Sequence, residues 1–109
     1  QAELVGKFLD SLDDLQRVSD LDPESATTHS VLEGVELVER KFLRTLLDAG
    51  IEESDPTGDA FDPNTMEAVM RVPTDDPELD DHVAQVFQKG YLFKGHLVRP
   101  ARVSVFKDS

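Results

Sequence analysis

The chain has 109 residues and a formal net charge of −12, with 39% hydrophobic residues, no Cys and no Trp. That length fits one domain of ordinary size with a small core, which leaves little room for a large enclosed active site. An acidic chain is repelled by phosphate backbones and anionic membrane surfaces, so the composition disfavours a general nucleic-acid or membrane binder. The absence of Cys excludes disulfides, zinc ribbons and thiol catalysis.

The charge is distributed unevenly along the chain. Residues 88–109 carry a net charge of +4, so residues 1–87 carry −16. No apolar run approaches the roughly 20 residues that cross a bilayer. The chain begins at Gln1 within a segment of helical periodicity and without an initiator Met, so we expect it to be a fragment of a longer protein.

Residues 2–19 are predicted to form an amphipathic helix. Apolar residues recur there at alternating spacings of three and four, the pattern of a coiled-coil seam: Val5, Phe8, Leu12 and Leu15. The charged positions, including Asp13, Asp14 and Arg17, predict an acidic face towards solvent. Two heptads do not make a stable coiled coil alone, so this helix needs a partner.

A second helix is predicted to end before Gly50, which suits the left-handed position after a helix C-terminus, with Ile51 folding back on Leu46. Asp22, directly before a proline, is the predicted N-terminal cap. Gly34 costs roughly 1 kcal/mol relative to Ala inside a helix, which predicts close packing there. One apolar row contains Val31, Val35, Val38 and Phe42. A short polar loop between the helices predicts an antiparallel hairpin, and two copies could bury both apolar stripes in a four-helix bundle.

From residue 51 onward the pattern changes to short strands and turns. Pro73 is expected to end the first strand, and an acidic loop follows over residues 74–81. Lys94-Gly95 predicts a hairpin turn, and Gly90 a bend. In the last predicted strand, inward-facing and outward-facing residues alternate, as in a strand with one buried face, and Ser104 is expected to face outward. Strands are predicted over residues 66–72, 83–88, 91–93, 97–98 and 101–106.

The chain is therefore predicted to have an α+β fold, with a helical dimerisation region over residues 1–50 and a small β-rich domain over residues 51–109. Catalytic motifs are not evident. The three His lack metal-ligand spacing, no phosphate-binding loop occurs, and Asp55, Asp59 and Asp62 resemble a calcium loop only loosely. We expect a protein that is not an enzyme and that uses no metal or cofactor.

Several segments together resemble the GrpE family of nucleotide exchange factors. They are FLDSLDDLQR from Phe8, LEGVEL from Leu32, FDPNTMEAV from Phe61, VFQKGYL from Val86 and LVRPARVSV from Leu97. The resemblance runs in order along nearly the whole chain. Two positions depart from the family pattern: Met66 stands where His is usual, and His96 where Arg is usual.

The resemblance implies a homodimer whose helices form a four-helix bundle with projecting β-domains, and a DnaK-class heat-shock chaperone as the partner. A β-domain would enter the chaperone's nucleotide-binding domain, open its cleft and promote ADP release in protein folding and the stress response. The implied chaperone-binding residues are Phe87, His96, Val105, Arg17, Arg99 and Met66. The implied structural or dimer residues are Val5, Phe8, Leu12, Leu15, Gly34, Val35, Val38 and Phe42.

Some roles have a second interpretation from the sequence. Phe87 and Val105 could pack in a core, Arg17 could lie on a solvated helix face, and Arg99 could serve the architecture of the β-domain. A dimerisation or adaptor module without exchange activity is the alternative function. Bacterial cytoplasm is the expected compartment, with the mitochondrial matrix as the alternative.

Overall fold

The computed structural model describes residues 2–108, and the chain divides into two compact units, Gln1–Gly50 and Ile51–Ser109. Two helices are followed by six strands, which confirms the α+β class. The elements are α1 (Ala2–Ser19), α2 (Thr28–Asp48), β1 (Ile51–Ser54), β2 (Met66–Thr74), β3 (Val83–Gln88), β4 (Gly90–Phe93), β5 (His96–Arg99) and β6 (Ala101–Asp108).

Helix α2 begins later than predicted. The Asp22 carboxylate accepts the Glu24 N–H and its carbonyl accepts from Ser25 and Ala26, so Asp22 organises a local turn rather than a helix start. The observed N-cap is Thr27, whose hydroxyl accepts the Ser30 N–H at 3.0 Å while the Ser30 hydroxyl accepts the Thr27 N–H at 3.0 Å. At the other end Gly50 has a φ of 104°, as its predicted left-handed position requires.

Small and polar side chains, rather than the predicted seam, are the most buried residues between the two helices. Ser11, Asp14 and Thr45 are buried, whereas the large apolar residues are exposed or half-buried. Asp14 therefore does not lie on the solvent face where its position in the helix predicts it. Apolar contact between the helices includes Phe8 and Phe42, whose ring centroids are 5.1 Å apart.

The β unit contains two three-stranded sheets, ordered β1-β4-β5 and β2-β6-β3. Neighbouring strands are antiparallel except β2 and β6, which are parallel. Strand β1 was not among the predicted strands. Ile51 pairs with Phe93 of β4. The sequence did not predict this strand because four residues of mixed character carry too little periodic signal.

The core of this unit lies around β6, the central strand of its sheet. Val83, Ala101, Val103 and Val105 are buried, and Phe61, Met66 and Val86 pack against them. Ser104 is also buried, at 1% exposure, instead of facing solvent as the alternation predicts. Pro73 does not end β2, which continues to Thr74; an edge strand tolerates a residue without an N–H donor.

Candidate protein-binding surfaces

The β4–β5 hairpin carries an exposed surface that combines apolar and basic side chains. Its turn, Lys94-Gly95, has φ values of 49° and 81°, as expected for a two-residue hairpin loop that matches the twist of the strands. All four residues of β5 are exposed, and Val98 is 60% exposed. The basic groups on this hairpin are Lys94, His96 and Arg99.

Arg99 is held in place on this hairpin. Its guanidinium carbon lies 5.0 Å from the centre of the Tyr91 ring, and its Nε donates to the Lys89 carbonyl at 3.1 Å. The Tyr91 hydroxyl donates to Glu53 of β1 at 3.3 Å, and Lys89 donates to the same carboxylate at 3.2 Å. This bonding raises the pKa of Lys89. The three strands of the sheet are thus tied together around Glu53.

Gly90 marks a close approach between the start of β4 and the start of β6. A Cβ at this position would lie 2.8 Å from the backbone nitrogen of Ala101 and 3.2 Å from the Arg99 carbonyl oxygen. Only glycine fits so close to another backbone. The bend predicted at Gly90 is instead the first residue of a strand.

Phe87 and Val105, which both permit a core or a contact role from sequence, lie in different surroundings. Phe87, on edge strand β3, is 48% exposed. Val105 is 2% exposed, so its side chain is packed in the core rather than presented to a partner. Met66 is half-buried against the same core, and its sulfur accepts the Asp62 N–H at 3.4 Å.

A charged groove of about 630 Å³ runs along the helical hairpin. It is lined by Lys7, Asp10, Asp13, Asp14, Arg17, Leu37, Arg40, Lys41, Arg44, Thr45 and Asp48. All the lysines and arginines of the helical unit are in this set, although the unit as a whole is acidic. The basic side chains of α1 and α2 are therefore gathered on one surface.

Asp14 is the best-enclosed charged group of the groove. One carboxylate oxygen lies 2.7 Å from the Arg17 guanidinium, and the other lies 2.7 Å from the ammonium group of Lys41 on the opposite helix. Contact with Lys41, and then with Arg17, lowers the pKa of Asp14 below its usual value. Arg17 nevertheless remains 69% exposed.

The structure places the site residues in three locations. His96 and Arg99 share β5, Phe87 lies on the other sheet, and Arg17 belongs to the helical unit. Sequence reasoning missed the exposed Leu97 and Val98, which read as ordinary strand residues. It also missed the part played by Asp14, because the pairing with Lys41 joins residues distant in sequence.

The side chains of residues 2–108 do not assemble a metal centre. No group of three or more His, Asp or Glu in this range could hold a metal ion. Neither α1 nor α2, the helices of the described residues, combines the length and the apolar composition that a bilayer-crossing helix requires. Exposed apolar and charged surfaces occur on both units, and such surfaces are common where proteins bind other proteins.

Comparison with known proteins identifies the family of this chain. The family model described as GrpE matches residues 1–107. The chain is 42% identical over 103 residues to Protein GrpE of Pediococcus pentosaceus and 38% identical over 102 residues to that of Exiguobacterium sibiricum. It is 36% identical over 102 residues to Protein GrpE of Bacillus licheniformis. These alignments cover 94% of this chain and 53%, 54% and 52% of the respective relatives.

The chain belongs to the GrpE family. It spans about half the length of the curated relatives that it matches.

Proposed function

We propose that this protein is an adenine nucleotide exchange factor for a DnaK-class chaperone in protein folding and the stress response. The observation that carries the proposal is the GrpE match over residues 1–107, which includes both units. The exposed surfaces on both units provide contact area for a protein partner. The bacterial origin of the relatives favours a bacterial cytoplasm over the mitochondrial matrix as the compartment.

Exchange of this kind needs no bond chemistry in the factor. A factor that binds the open nucleotide cleft more tightly than the closed one shifts the chaperone towards the open state. By linkage, the factor and ADP then weaken each other's binding. Raising the open population from 1:99 to 99:1 requires about 5.5 kcal/mol of differential binding.

The proposed contact surface in the β unit consists of Phe87, His96 and Arg99. Phe87 supplies exposed apolar area, and Arg99 is held by Tyr91 and Lys89 in one orientation. An exposed His96 keeps hydrogen-bonding capacity but lacks the permanent charge and bidentate geometry of arginine. Val105 and Met66 pack in the core of the same unit, so in this proposal they support its fold rather than contact the chaperone directly.

Release of fluorescent ADP from a DnaK-class chaperone tests the proposal. The full chain should accelerate release, and Phe87→Ala should weaken chaperone binding. Val69→Ala is a matched control, since Val69 is 41% exposed in the same unit but lies outside the proposed surface. Binding without any acceleration of release would support the adaptor alternative instead.

We also propose that two copies associate through their helices into a four-helix bundle. Support comes from the apolar residues left exposed on both helices: Val5, Leu12, Leu15, Val35 and Phe42. Burying this area against a second copy removes it from water at about 25 cal/mol per Å². Gly34, where α2 approaches α1 closely, helps to shape the hairpin that would enter the bundle.

Sedimentation equilibrium measures this association directly. The unmodified chain should give a dimer mass at micromolar concentration, and Leu12→Glu should give a monomer. Gln16→Glu, at an exposed polar position of the same helix, should leave the dimer intact. A monomer mass for the unmodified chain would refute the bundle.

A further inference from the structure

The ion pairs along the helical groove differ in how firmly their carboxylates are held. Asp14 has a side chain that is 7% exposed and contacts both Arg17 and Lys41 at 2.7 Å. Asp48, the partner of Arg44 at 3.4 Å, is 50% exposed. Exposed pairs contribute little because both side chains remain free to move. Asp14 instead lies between two cations, one of them the ammonium group of Lys41 from the opposite helix.

This arrangement constrains Arg17 without covering it. A guanidinium carries five N–H donors, and the contact with Asp14 uses Nη1. The side chain remains 69% exposed, so its other donors can reach a second carboxylate. An arginine whose motion is already restricted by an ion-pair contact loses less conformational entropy when it binds.

We propose that Asp14 is a positioning residue that holds Arg17 ready to bind a carboxylate on the chaperone partner. The inference rests on the proposed function, because it takes the chaperone as the protein that Arg17 contacts. Asp14 itself does not touch the partner. It acts by preorganising the guanidinium, and Lys41 orients the carboxylate from the other helix.

The effect on affinity follows from the entropy of one long side chain. Freeing Arg17 should weaken chaperone binding by about threefold to tenfold. A rival role of Asp14 has the opposite sign: if the carboxylate merely competed for the guanidinium, removing its charge would strengthen binding. The direction of the change therefore separates the two roles.

A double-mutant cycle in the full chain tests the proposal through the dissociation constant for a nucleotide-free DnaK-class chaperone. Arg17→Gln and Asp14→Asn should each weaken binding, and Asp14→Asn should have no further effect when Arg17 is already Gln. A purely structural role would give the same loss in both backgrounds and would overturn the proposal. Unchanged or tighter binding of Asp14→Asn alone would also overturn it, as would an Arg17→Gln variant that binds normally.

Two control variants separate positioning from general disturbance of the hairpin. Lys41→Gln removes one of the two contacts that orient Asp14 but leaves Asp14 beside Arg17, so affinity should fall by less than with Asp14→Asn. Asp48→Asn removes the exposed pair with Arg44 and should not change affinity. A loss with Lys41→Gln as large as that with Asp14→Asn would assign the effect to the hairpin and overturn the proposal.

The ADP-release assay distinguishes failure of this inference from failure of the proposed function. If the unmodified chain accelerates release while the cycle shows no coupling between Asp14 and Arg17, only the inference is wrong. If the unmodified chain binds the chaperone without accelerating release, the exchange function is wrong, whereas the coupling remains measurable as affinity.

Discussion

Gly34 lies where α2 closely approaches Val18 of α1, and its replacement by Ala tests the packing of the hairpin. An added Cβ would stand 2.5 Å from Cγ2 of Val18. Carbon atoms in favourable contact are about 3.5–4.0 Å apart, so the added Cβ and the Val18 methyl must move apart by about 1 Å. The valine cannot easily rotate away, because a β-branched side chain in a helix has one strongly preferred rotamer.

Two opposing terms determine the size of the effect. Overpacking costs about 1–3 kcal/mol, and we take the upper value because the neighbour is stiff. Replacing a helical Gly by Ala contributes about 1 kcal/mol of helix propensity in the other direction. The net expectation is a loss of about 2 kcal/mol, which lowers the melting temperature by about 8–16 °C in a unit of this size.

Gly6 in α1 is a matched control, since nothing lies within 4 Å of a Cβ placed there. Gly6→Ala should add only the helix-propensity contribution of about 1 kcal/mol and raise the melting temperature by about 4–8 °C. Thermal unfolding by far-ultraviolet circular dichroism at one fixed protein concentration compares the two variants. Adding Val18→Ala to Gly34→Ala should recover part of the loss. A Gly34→Ala chain that melts as high as Gly6→Ala would refute the packing argument.

Other residues provide independent tests. Gly90→Ala would place a Cβ 2.8 Å from a backbone nitrogen and should lower the free energy of unfolding of the β unit by about 3 kcal/mol in chemical denaturation. Gly95→Ala, in open space at a φ of 81°, should lower it by only about 1–2 kcal/mol. Equal losses would contradict the close approach at Gly90. Thr27→Ala removes the capping hydroxyl of α2 and should cost about 1 kcal/mol of helix stability, and an unchanged melting temperature would count against the cap. Because the pKa of Asp14 is lowered on folding, its stabilising effect is present above the usual pKa of 3.8 and disappears as the pH falls through the lower folded value. Asp14→Asn should therefore flatten the acid limb of a stability–pH curve, and an identical acid limb would contradict the ion-pair geometry.

Features encoded over a few neighbouring residues were predictable from sequence. The left-handed Gly50 and the Lys94-Gly95 turn both occur where their conformational preferences indicate. Helix α1 extends over the residues whose apolar spacing predicts it. Such signals are local, because a φ value or a periodicity depends on the residue and its close neighbours.

Features that depend on distant pairings, or on which of two local signals prevails, were not predictable in the same way. Asp22 looks like a cap, yet Thr27 forms reciprocal bonds that satisfy the helix end better. Pro73 stays within a strand because β2 is an edge strand, and Ser104 is buried although the alternation of its strand predicts that it faces solvent. In these cases tertiary packing, or a competing hydrogen bond, overrides the local preference.

The candidate site also combines features that the sequence predicts with features that only the tertiary structure shows. The basic character of the last segment and the presence of Phe87, His96 and Arg99 on or beside short strands follow from the sequence. Their environments do not: Val105 is enclosed while Phe87 is exposed, and only the sheet order distinguishes two apolar residues of similar pattern. The contact between Asp14 and Lys41 likewise needs both helices in place.

The sequence by itself determined the α+β class, the resemblance to the GrpE family and the reversal of charge between the acidic bulk and the basic final segment. Only the tertiary structure decided which residues are covered, which remain open to a partner and how the basic residues of the helical unit gather along one groove. The physical reason is that secondary structure and net charge are sums of local contributions, whereas burial and ion pairing depend on which distant side chains meet.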